Sequence, residues 1–203
     1  MGPAILGCSR CQVCGRWPAR ALCADCLARF AQSPPRCTGC ALALPPGHPQ
    51  DSRCGQCLRH PPALTRCLAV VDYRFPWHQL IARFKFQNEP AWARHFAELA
   101  QRHPGVREAL AQADLALPVP LSPQRLAWRG YNQAWEWLRA LQPRQPLPGA
   151  LLRLSHGPEQ VGLDRAARLR QARLSYAVAP AHAQILRGSQ VLLVDDVMTT
   201  GAT

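Results

Sequence analysis

Residues 191–203, VLLVDDVMTTGAT, combine an apolar run, two aspartates and a threonine-rich turn. The first four residues are aliphatic, and a run that is apolar on both faces predicts a central strand of a parallel sheet. Parallel strands present ligand-binding groups at their carboxyl ends, so Asp195 and Asp196 are expected where this strand opens into a crevice. Adjacent residues at a strand end point to opposite faces. The two carboxylates therefore need the turn that follows in order to act together.

The turn after the aspartates carries the donors that a phosphate needs. Gly201 tolerates a positive φ, successive backbone N–H groups can form an anion-binding nest, and Thr199, Thr200 and Thr203 offer hydroxyl donors. Acceptors for sugar hydroxyls thus precede donors for an anion, a combination that fits a ribose 5-phosphate. The sequence has neither a G-x-x-x-x-G-K-[ST] nor a G-x-G-x-x-G motif. A receiver-type phosphoaspartate site is disfavoured because no later strand bearing a lysine follows.

Strand-like and helix-like segments alternate from Cys67 onward, which predicts an α/β domain around a mostly parallel sheet. Residues 67–75 and 115–121 are predicted strands, and Asn132 is a predicted N-cap. Large apolar residues at helical spacing are interpreted as core, with a stacking surface for bases as the alternative for the aromatic ones. They are Trp77, Leu80, Ile81, Phe84, Trp92, Phe96 and Leu99.

Eight of the ten cysteines form four C-x-x-C pairs. In a reducing cytosol such pairs are metal ligands far more often than disulfides, because two thiolates on one tight turn grip one side of a tetrahedral ion. A thioredoxin-type redox dithiol occurs once, at a strand–helix junction, and not as a series of pairs. Four pairs fit two structural zinc sites of four thiolates each: Cys11, Cys14, Cys23, Cys26, Cys37, Cys40, Cys54 and Cys57.

The order in which the cysteine pairs combine stays open at this point, since the first pair can join the second or the third. Gly15, Gly39 and Gly55 adjoin paired cysteines and are expected to allow the turns that bring N–H groups toward sulfur. Cys67 reads as core. The alternative ligands are His48, His60 and Cys8.

Two domains are expected. Residues 1–62 form a cysteine-rich module that cannot bury enough apolar surface alone, so zinc would supply much of its folding free energy. Pro61 and Pro62 end this module, and residues 63–203 form the α/β domain.

The net charge is +12 and the isoelectric point is near 9.9, with Lys85 as the sole lysine. Arginine offers a planar fork of donors that suits phosphate oxygens, which favours anionic partners such as nucleotides or nucleic acid. A GC-rich genome produces the same arginine-rich composition without any selection for binding. A basic stretch from Arg153 to Arg173 is either a solvated helix face or an arginine loop that closes over phosphates.

No apolar run approaches the roughly 20 residues that span a bilayer. Too few residues precede the early ILGC sequence for a signal peptide. We therefore expect a cytoplasmic protein without a membrane span.

A wider set of motifs surrounds these features. The cysteine pairs are followed by Lys85-Phe86, PVPL at 118–121, RGYNQA at 129–134, an R…Q…GLxRxxR segment ending at Arg168 and then VLLVDDVMTTGAT. The last motif resembles the phosphoribosyl pyrophosphate (PRPP) signature of type I phosphoribosyltransferases. The whole order resembles the ComF family of competence proteins.

The resemblance implies an α/β fold with a type I phosphoribosyltransferase-like parallel sheet, preceded by a small double zinc-ribbon module. Family members continue past the signature with a helix and at least one more strand, so the sheet is expected to be incomplete at its C-terminal side. Gly157 and Gln171 stand where the family usually has Thr and Asn.

The resemblance also implies a function. Members are described as phosphoribosyltransferases that bind PRPP or a related ribose phosphate, with Mg²⁺ bridging the pyrophosphate, and they are linked to DNA uptake in natural transformation. Single-stranded DNA and the competence machinery are implied partners, and a non-enzymatic DNA-handling factor with the same fold is the alternative. Asp195 and Asp196 are the implied catalytic pair, binding the ribose hydroxyls. The implied PRPP-binding residues are Thr199, Thr200, Gly201, Ala202, Thr203, Arg129, Arg165 and Arg168.

Overall fold

The computed structural model describes residues 9–49, 51–154 and 175–198. The predicted phosphate loop 199–203, the arginines at 165 and 168, Cys8 and most of the basic stretch lie outside the described residues. In chain order the elements are α1 (Ala24–Phe30), α2 (Gly55–Arg59), α3 (Trp77–Phe86), α4 (Trp92–Gln101), α5 (Pro104–Gln112), β1 (Leu115–Pro118), α6 (Pro123–Arg129), α7 (Gln133–Leu141), β2 (Leu151–Arg153), β3 (Tyr176–Val178), a 3₁₀ turn (Pro180–His182), α8 (Ala183–Leu186) and β4 (Val191–Val194).

A small parallel sheet lies at the centre of the α/β part. Strands β1 and β4 run parallel, with Leu115 opposite Val191 and Pro118 opposite Val194. On its other side β1 makes a parallel bridge at Pro146. All four residues of β1 are buried, so this strand is the centre of the sheet. The predicted α/β class with parallel pairing is confirmed, while β2 and β3 form a separate antiparallel pair.

Strand β4 differs from the central strand that its sequence predicts. In the part of the chain that the structure describes, β4 pairs with β1 alone. Val191 and Leu193 keep 38% and 43% of their surface exposed, whereas Val194 is buried. An apolar run indicates burial in general, but tertiary pairing decides which neighbours provide it. The buried end of β4 is the carboxyl end, from which the two aspartates emerge.

The strand predicted at 67–75 is wrong. This segment is irregular in the structure, although it is rich in β-branched and aromatic residues. Val70 and Val71 pack against the core formed by α3 and α4. The backbone N–H of Cys67 donates to the carbonyl of Thr38 at 2.7 Å, an isolated contact and not a ladder. Apolar character without a partner strand gives burial but no strand.

The helices of the α/β part form as their caps and stripes predict. Asn132 caps α7, its Oδ1 accepting hydrogen bonds from the N–H groups of Ala134 and Trp135 at 2.9 and 3.3 Å. Helix α6 ends at Gly130, which adopts a left-handed φ of 80° that suits glycine. The apolar stripes of α3 and α4 are buried, which confirms that they belong to the core. Their members are Trp77, Leu80, Ile81, Phe84, Trp92, Phe96 and Leu99. Because the aromatic members are buried, they cannot serve as a stacking surface for bases.

The cysteine-rich segment and the α/β part share one hydrophobic core. Leu22, from the cysteine-rich segment, packs in the same cluster as Trp77 and Phe84. The indole N–H of Trp77 donates to the carbonyl of Phe30 at 2.8 Å. The expected domain boundary at residue 62 stays a prediction. Among the described residues, no helix is both long enough and apolar enough to cross a bilayer.

Candidate functional site

Two groups of four cysteines are each arranged to hold a metal ion. The sulfur atoms within each group lie within 4.8 Å of one another. The Sγ atoms of Cys14 and Cys23 are 3.7 Å apart, and those of Cys40 and Cys54 are 3.8 Å apart. A tetrahedral ion with bonds of about 2.3 Å to sulfur requires sulfur–sulfur distances of about 3.8 Å. The donor sets therefore fit structural zinc.

The groups settle the pairing order that the sequence leaves open. The first C-x-x-C pair joins the second, and the third joins the fourth: Cys11, Cys14, Cys23 and Cys26, then Cys37, Cys40, Cys54 and Cys57. In each group the third cysteine directly precedes a short helix and donates its N–H to the first sulfur, at 3.4 Å for Cys11 and 3.2 Å for Cys37. The two sites repeat one local design.

Backbone donors favour thiolates at both sites. Burial raises the pKa of Cys11, but backbone hydrogen bonds from Cys14 and Cys23 outweigh it and bring the pKa to about 6. Cys37 follows the same pattern, with its pKa lowered to about 6 against the effect of burial. The thiolate is the form that binds metal. Each site thus presents at least one sulfur that is ready to coordinate an ion.

The glycines beside the cysteines serve different purposes. Gly15, after Cys14, has a φ of 74°, as predicted for a turn. Ala41 takes the equivalent place after Cys40 with a φ of 54°, although it is not glycine. Gly39 has no positive φ; a Cβ there would lie 3.1 Å from the Cys57 sulfur, so the position requires space. The predicted turn role is confirmed for Gly39, which lies in a turn and donates its backbone N–H toward the Cys37 sulfur, and is wrong for Gly55, which begins α2.

The aspartate pair lies at the buried end of β4, where the sequence predicts it. The backbone N–H of Asp196 donates to Oδ1 of Asp195 at 2.9 Å, and the charge of Asp196 acts on the Asp195 carboxyl, so the two side chains lie close together. The ammonium of Lys85 lies 2.8 Å from Oδ1 of Asp196, whose side chain is only 6% exposed. Oδ2 of Asp196 is buried and has no hydrogen-bond partner among the described residues. One carboxylate oxygen therefore remains available for a ligand.

Asp195 holds its proton more tightly than an ordinary aspartate. Burial, followed by the negative charge of Asp196, raises the pKa of Asp195 to about 7. The backbone hydrogen bond from Asp196 and the charge of Lys85 oppose this rise. Near neutral pH Asp195 therefore changes between its protonated and its charged form.

Two arginines and a tyrosine outside the predicted set lie near the aspartates. The guanidinium of Arg153 lies over the ring of Tyr176 at 4.6 Å and donates to its hydroxyl. Burial raises the pKa of Tyr176, the charges of Arg153 and Arg125 lower it, and the charge of Asp195 raises it. Sequence reasoning included Arg153 only as the start of a basic stretch. Its contact with Tyr176, whose pKa the charge of Asp195 raises, depends on the β2–β3 pairing, which no motif signals.

Arg129, a predicted PRPP-binding residue, makes its described contacts elsewhere. It donates a hydrogen bond to the side chain of Gln133 and lies over the ring of Phe86, 5.3 Å from the centroid. Its buried Nε has no hydrogen-bond partner among the described residues. Phe86 follows Lys85 directly in α3. Arg129 thus borders the aspartate pair through α3, without a described contact to either carboxylate.

A cavity of about 830 Å³ opens between the second cysteine group and the aspartates. Its wall is mostly apolar and includes Cys40, Val70, Trp77, Trp137 and Asp195. Ligand sites for small molecules typically measure about 300–1,000 Å³ and combine apolar walls with a few polar groups. The buried Nε1–H of Trp137 has no acceptor within the described ranges. The aspartate pair is thus accessible from a space large enough for a ligand.

Comparison with known proteins identifies relatives over most of the chain. It is 32% identical over 190 residues to "Competence protein F" of Haemophilus influenzae, covering 90% of this chain and 80% of the relative. It is 31% identical over 194 residues to "DNA utilization protein YhgH" of Salmonella typhi, with the same coverage of each chain. The Escherichia coli K12 protein of that name is 29% identical over 199 residues, covering 93% of this chain and 82% of its own.

No family model matches the chain. No solved structure matches it either. The match to Competence protein F, which covers 90% of this chain at 32% identity, nevertheless decides its relationship. The chain belongs to the ComF family, the family of Competence protein F.

Proposed function

We propose that this chain binds PRPP or a related ribose phosphate at the Asp195–Asp196 turn. The observation that supports the proposal is a buried carboxylate pair at the carboxyl end of a parallel strand, with Oδ2 of Asp196 unpartnered among the described residues. Ligands of α/β proteins bind in crevices at this end of the sheet. A ribose with two adjacent hydroxyls would supply the donors that these oxygens lack.

The remaining parts of such a ligand would meet other residues of the chain. The 5-phosphate would bind the hydroxyl and N–H donors of residues 199–203. The pyrophosphate would meet arginines, for which Arg125 and Arg153 add to the predicted set of Arg129, Arg165 and Arg168. Two carboxylates beside a polyphosphate also form an oxygen-rich environment that suits Mg²⁺. The ion would lower the repulsion between the acidic pair and the anionic ligand.

Lys85 has a defined part in this proposal. Its ammonium neutralises Asp196 at 2.8 Å, which allows two carboxylates to remain adjacent and mostly buried. A ribose hydroxyl approaching Asp196 would share that carboxylate with the lysine. Lys85 is therefore proposed as the positioning residue for the acidic pair.

We further propose that the chain acts in the uptake or use of DNA. Relatives carry the names Competence protein F and DNA utilization protein. The net charge of +12 adds a general attraction for a polyanion. The second candidate function, a non-enzymatic factor that handles single-stranded DNA with the same fold, is supported by the same charge.

Calorimetry tests ribose-phosphate binding. PRPP with Mg²⁺ is titrated into the zinc-loaded chain, and into the double variant Asp195→Asn and Asp196→Asn. Wild type should release heat and the double variant should not. Glu108→Gln, an exposed carboxylate-to-amide change in α5, is the matched control and should bind as wild type does. Absence of heat from the folded wild type at millimolar ligand would overturn the proposal.

The salt dependence of DNA binding tests the second candidate. Several phosphate contacts predict a steep linear fall of log affinity with log salt concentration. A steep slope that Mg²⁺ and PRPP leave unchanged would favour a DNA-handling factor that needs no ribose phosphate. A flat response would contradict any role based on phosphate contacts.

A further inference from the structure

Two exposed aromatic rings form a patch at the ends of α3 and α6. Phe86 is 59% exposed and Trp128 is 70% exposed, and their ring centroids lie 6.3 Å apart. The guanidinium of Arg129 lies over the Phe86 ring at 5.3 Å. We call these three residues the Phe86–Trp128 patch. Large aromatic residues left in water at adjacent positions lose the free energy that burial would give, so such a pair calls for a partner.

The patch is held rigidly by the elements that carry it. Phe86 is the last residue of α3, and Trp128 and Arg129 are the last two of α6. The hydroxyl of Tyr131 donates to the carbonyl of Phe84, which ties the end of α3 to the residues that follow α6. Gln133 accepts a hydrogen bond from Arg129. The rings are thus presented by fixed helix ends, which lowers the entropy that a ligand must overcome on binding.

The charge around the patch indicates the partner. Helices α3 and α6 contain no acidic residue. Of their cations, Arg83 pairs with Glu89 and Lys85 with Asp196, whereas Arg129 forms no ion pair with a described residue. A partner must therefore combine flat apolar faces with negative charge. The bases and phosphates of nucleic acid have this combination, and in a single strand the faces of the bases are accessible for stacking. In a duplex those faces are already covered by neighbouring pairs.

We propose that the Phe86–Trp128 patch is a stacking surface for the bases of single-stranded nucleic acid. A base would stack on Trp128 and another on Phe86, while Arg129 faces the phosphates. The inference rests on the proposed DNA role. It shares Arg129 with the proposed ribose-phosphate site but does not require a ribose phosphate.

Binding of a fluorescein-labelled oligothymidylate to the zinc-loaded full chain tests the proposal, read as fluorescence anisotropy. The double variant Phe86→Ala and Trp128→Ala should bind about 10- to 100-fold more weakly, as expected from stacking of about 1–3 kcal/mol per base. Phe86→Tyr with Trp128→Phe keeps the rings and should retain most of the affinity. Trp17→Ala removes a tryptophan of similar exposure, 60%, from the cysteine-rich segment and should leave binding unchanged.

An abasic strand of the same length separates stacking from charge. Wild type should bind the abasic strand about as weakly as the alanine double variant binds oligothymidylate. The variant should bind both strands with the same affinity. A duplex of the same length should bind weakly to both proteins. The proposal would be overturned if wild type and variant bound oligothymidylate with equal affinity. It would also be overturned if the substitutions weakened binding to the abasic strand as much as binding to oligothymidylate.

Two further measurements keep the alternatives apart. Sedimentation with vesicles containing phosphatidylserine examines a membrane partner: patch-dependent binding to vesicles but not to oligothymidylate would overturn the nucleic-acid assignment. PRPP calorimetry on the single variant Trp128→Ala should match wild type, since Trp128 is not among the residues proposed for the ribose-phosphate site. Absent PRPP heat together with patch-dependent DNA binding would overturn the proposed ligand and leave this inference standing.

Discussion

The ammonium of Lys85 lies 2.8 Å from Oδ1 of Asp196, which joins the end of α3 to the turn after β4. Lys85 is the sole lysine of the chain. Its side chain is 19% exposed and that of Asp196 is 6% exposed, so both charges of this ion pair are largely buried. Removing one partner of a buried pair leaves an uncompensated charge in a poorly solvated place. The consequences of this contact can be measured as stability.

Replacing Lys85 by Met should lower the free energy of unfolding by about 3 kcal/mol, because Asp196 then remains buried without its cation. Urea unfolding at neutral pH measures the change. Lys85→Arg retains the charge and should cost much less. A Met variant as stable as wild type would show that Asp196 has sufficient solvent or other partners.

The stability of the wild type should depend on pH through Asp195. Its folded pKa of about 7 lies above that of an unfolded aspartate. At pH values between the two, the folded state therefore binds one proton more than the unfolded state. Stability is then full below the unfolded pKa of about 3.9 and falls as pH rises toward 7. The Asp195→Asn variant has no carboxyl group at this position and therefore lacks this contribution to the pH dependence of stability. Relative to this variant, wild type should lose a few kcal/mol between pH 4 and pH 8, as measured by denaturant unfolding. Parallel pH profiles would contradict the raised pKa.

The chain should bind two zinc ions, one at each cysteine group. Cys11→Ser and Cys37→Ser should each reduce the zinc content by one, because each removes a ligand from a different group. Elemental analysis of purified protein measures the stoichiometry. Cys67→Ser, outside both groups, is the matched control and should retain both ions. A wild-type content near one ion would mean that one group is idle.

Ala41→Gly should stabilise the zinc-loaded chain by about 1 kcal/mol, because a non-glycine residue at a φ of 54° is strained. Gly15→Ala, at the equivalent place in the first cysteine group with a φ of 74°, should destabilise it by a similar amount. Thermal unfolding compares the two. Gly55→Ala lies at the start of α2 with only ordinary contact for a new Cβ, so it should change stability little. An Ala41→Gly variant that melts earlier than wild type would contradict the assignment of strain.

Sequence reasoning was most successful where chemistry is local. C-x-x-C spacing predicts cysteines on tight turns, and DD after an apolar run predicts carboxylates at a strand end; both are where the structure has them. The pairing order of the cysteines was open because ligand count alone permits more than one. Only the packing around Cys11 and Cys37 decides it.

Contacts between residues far apart in the chain could not be predicted from local sequence patterns. The contact of Lys85 with Asp196 and that of Arg153 with Tyr176 join segments far apart in the chain. Residues 67–75 have the composition of a strand but no strand to pair with. Phe86 follows the apolar stripe of α3 without a break in composition, and its exposure results from where α3 ends against α6.

The shared core has a consequence for the life of the protein in the cell. Leu22 directly precedes Cys23, a member of the first cysteine group, and packs in the same cluster as Trp77, so loss of an ion from that group would loosen the wall of the α/β core as well. We expect a single cooperative melting transition for both parts. Proteases degrade chains in proportion to how often they open. The abundance of this protein should therefore follow the zinc supply of its host. Zinc starvation should then also reduce the function of the α/β part.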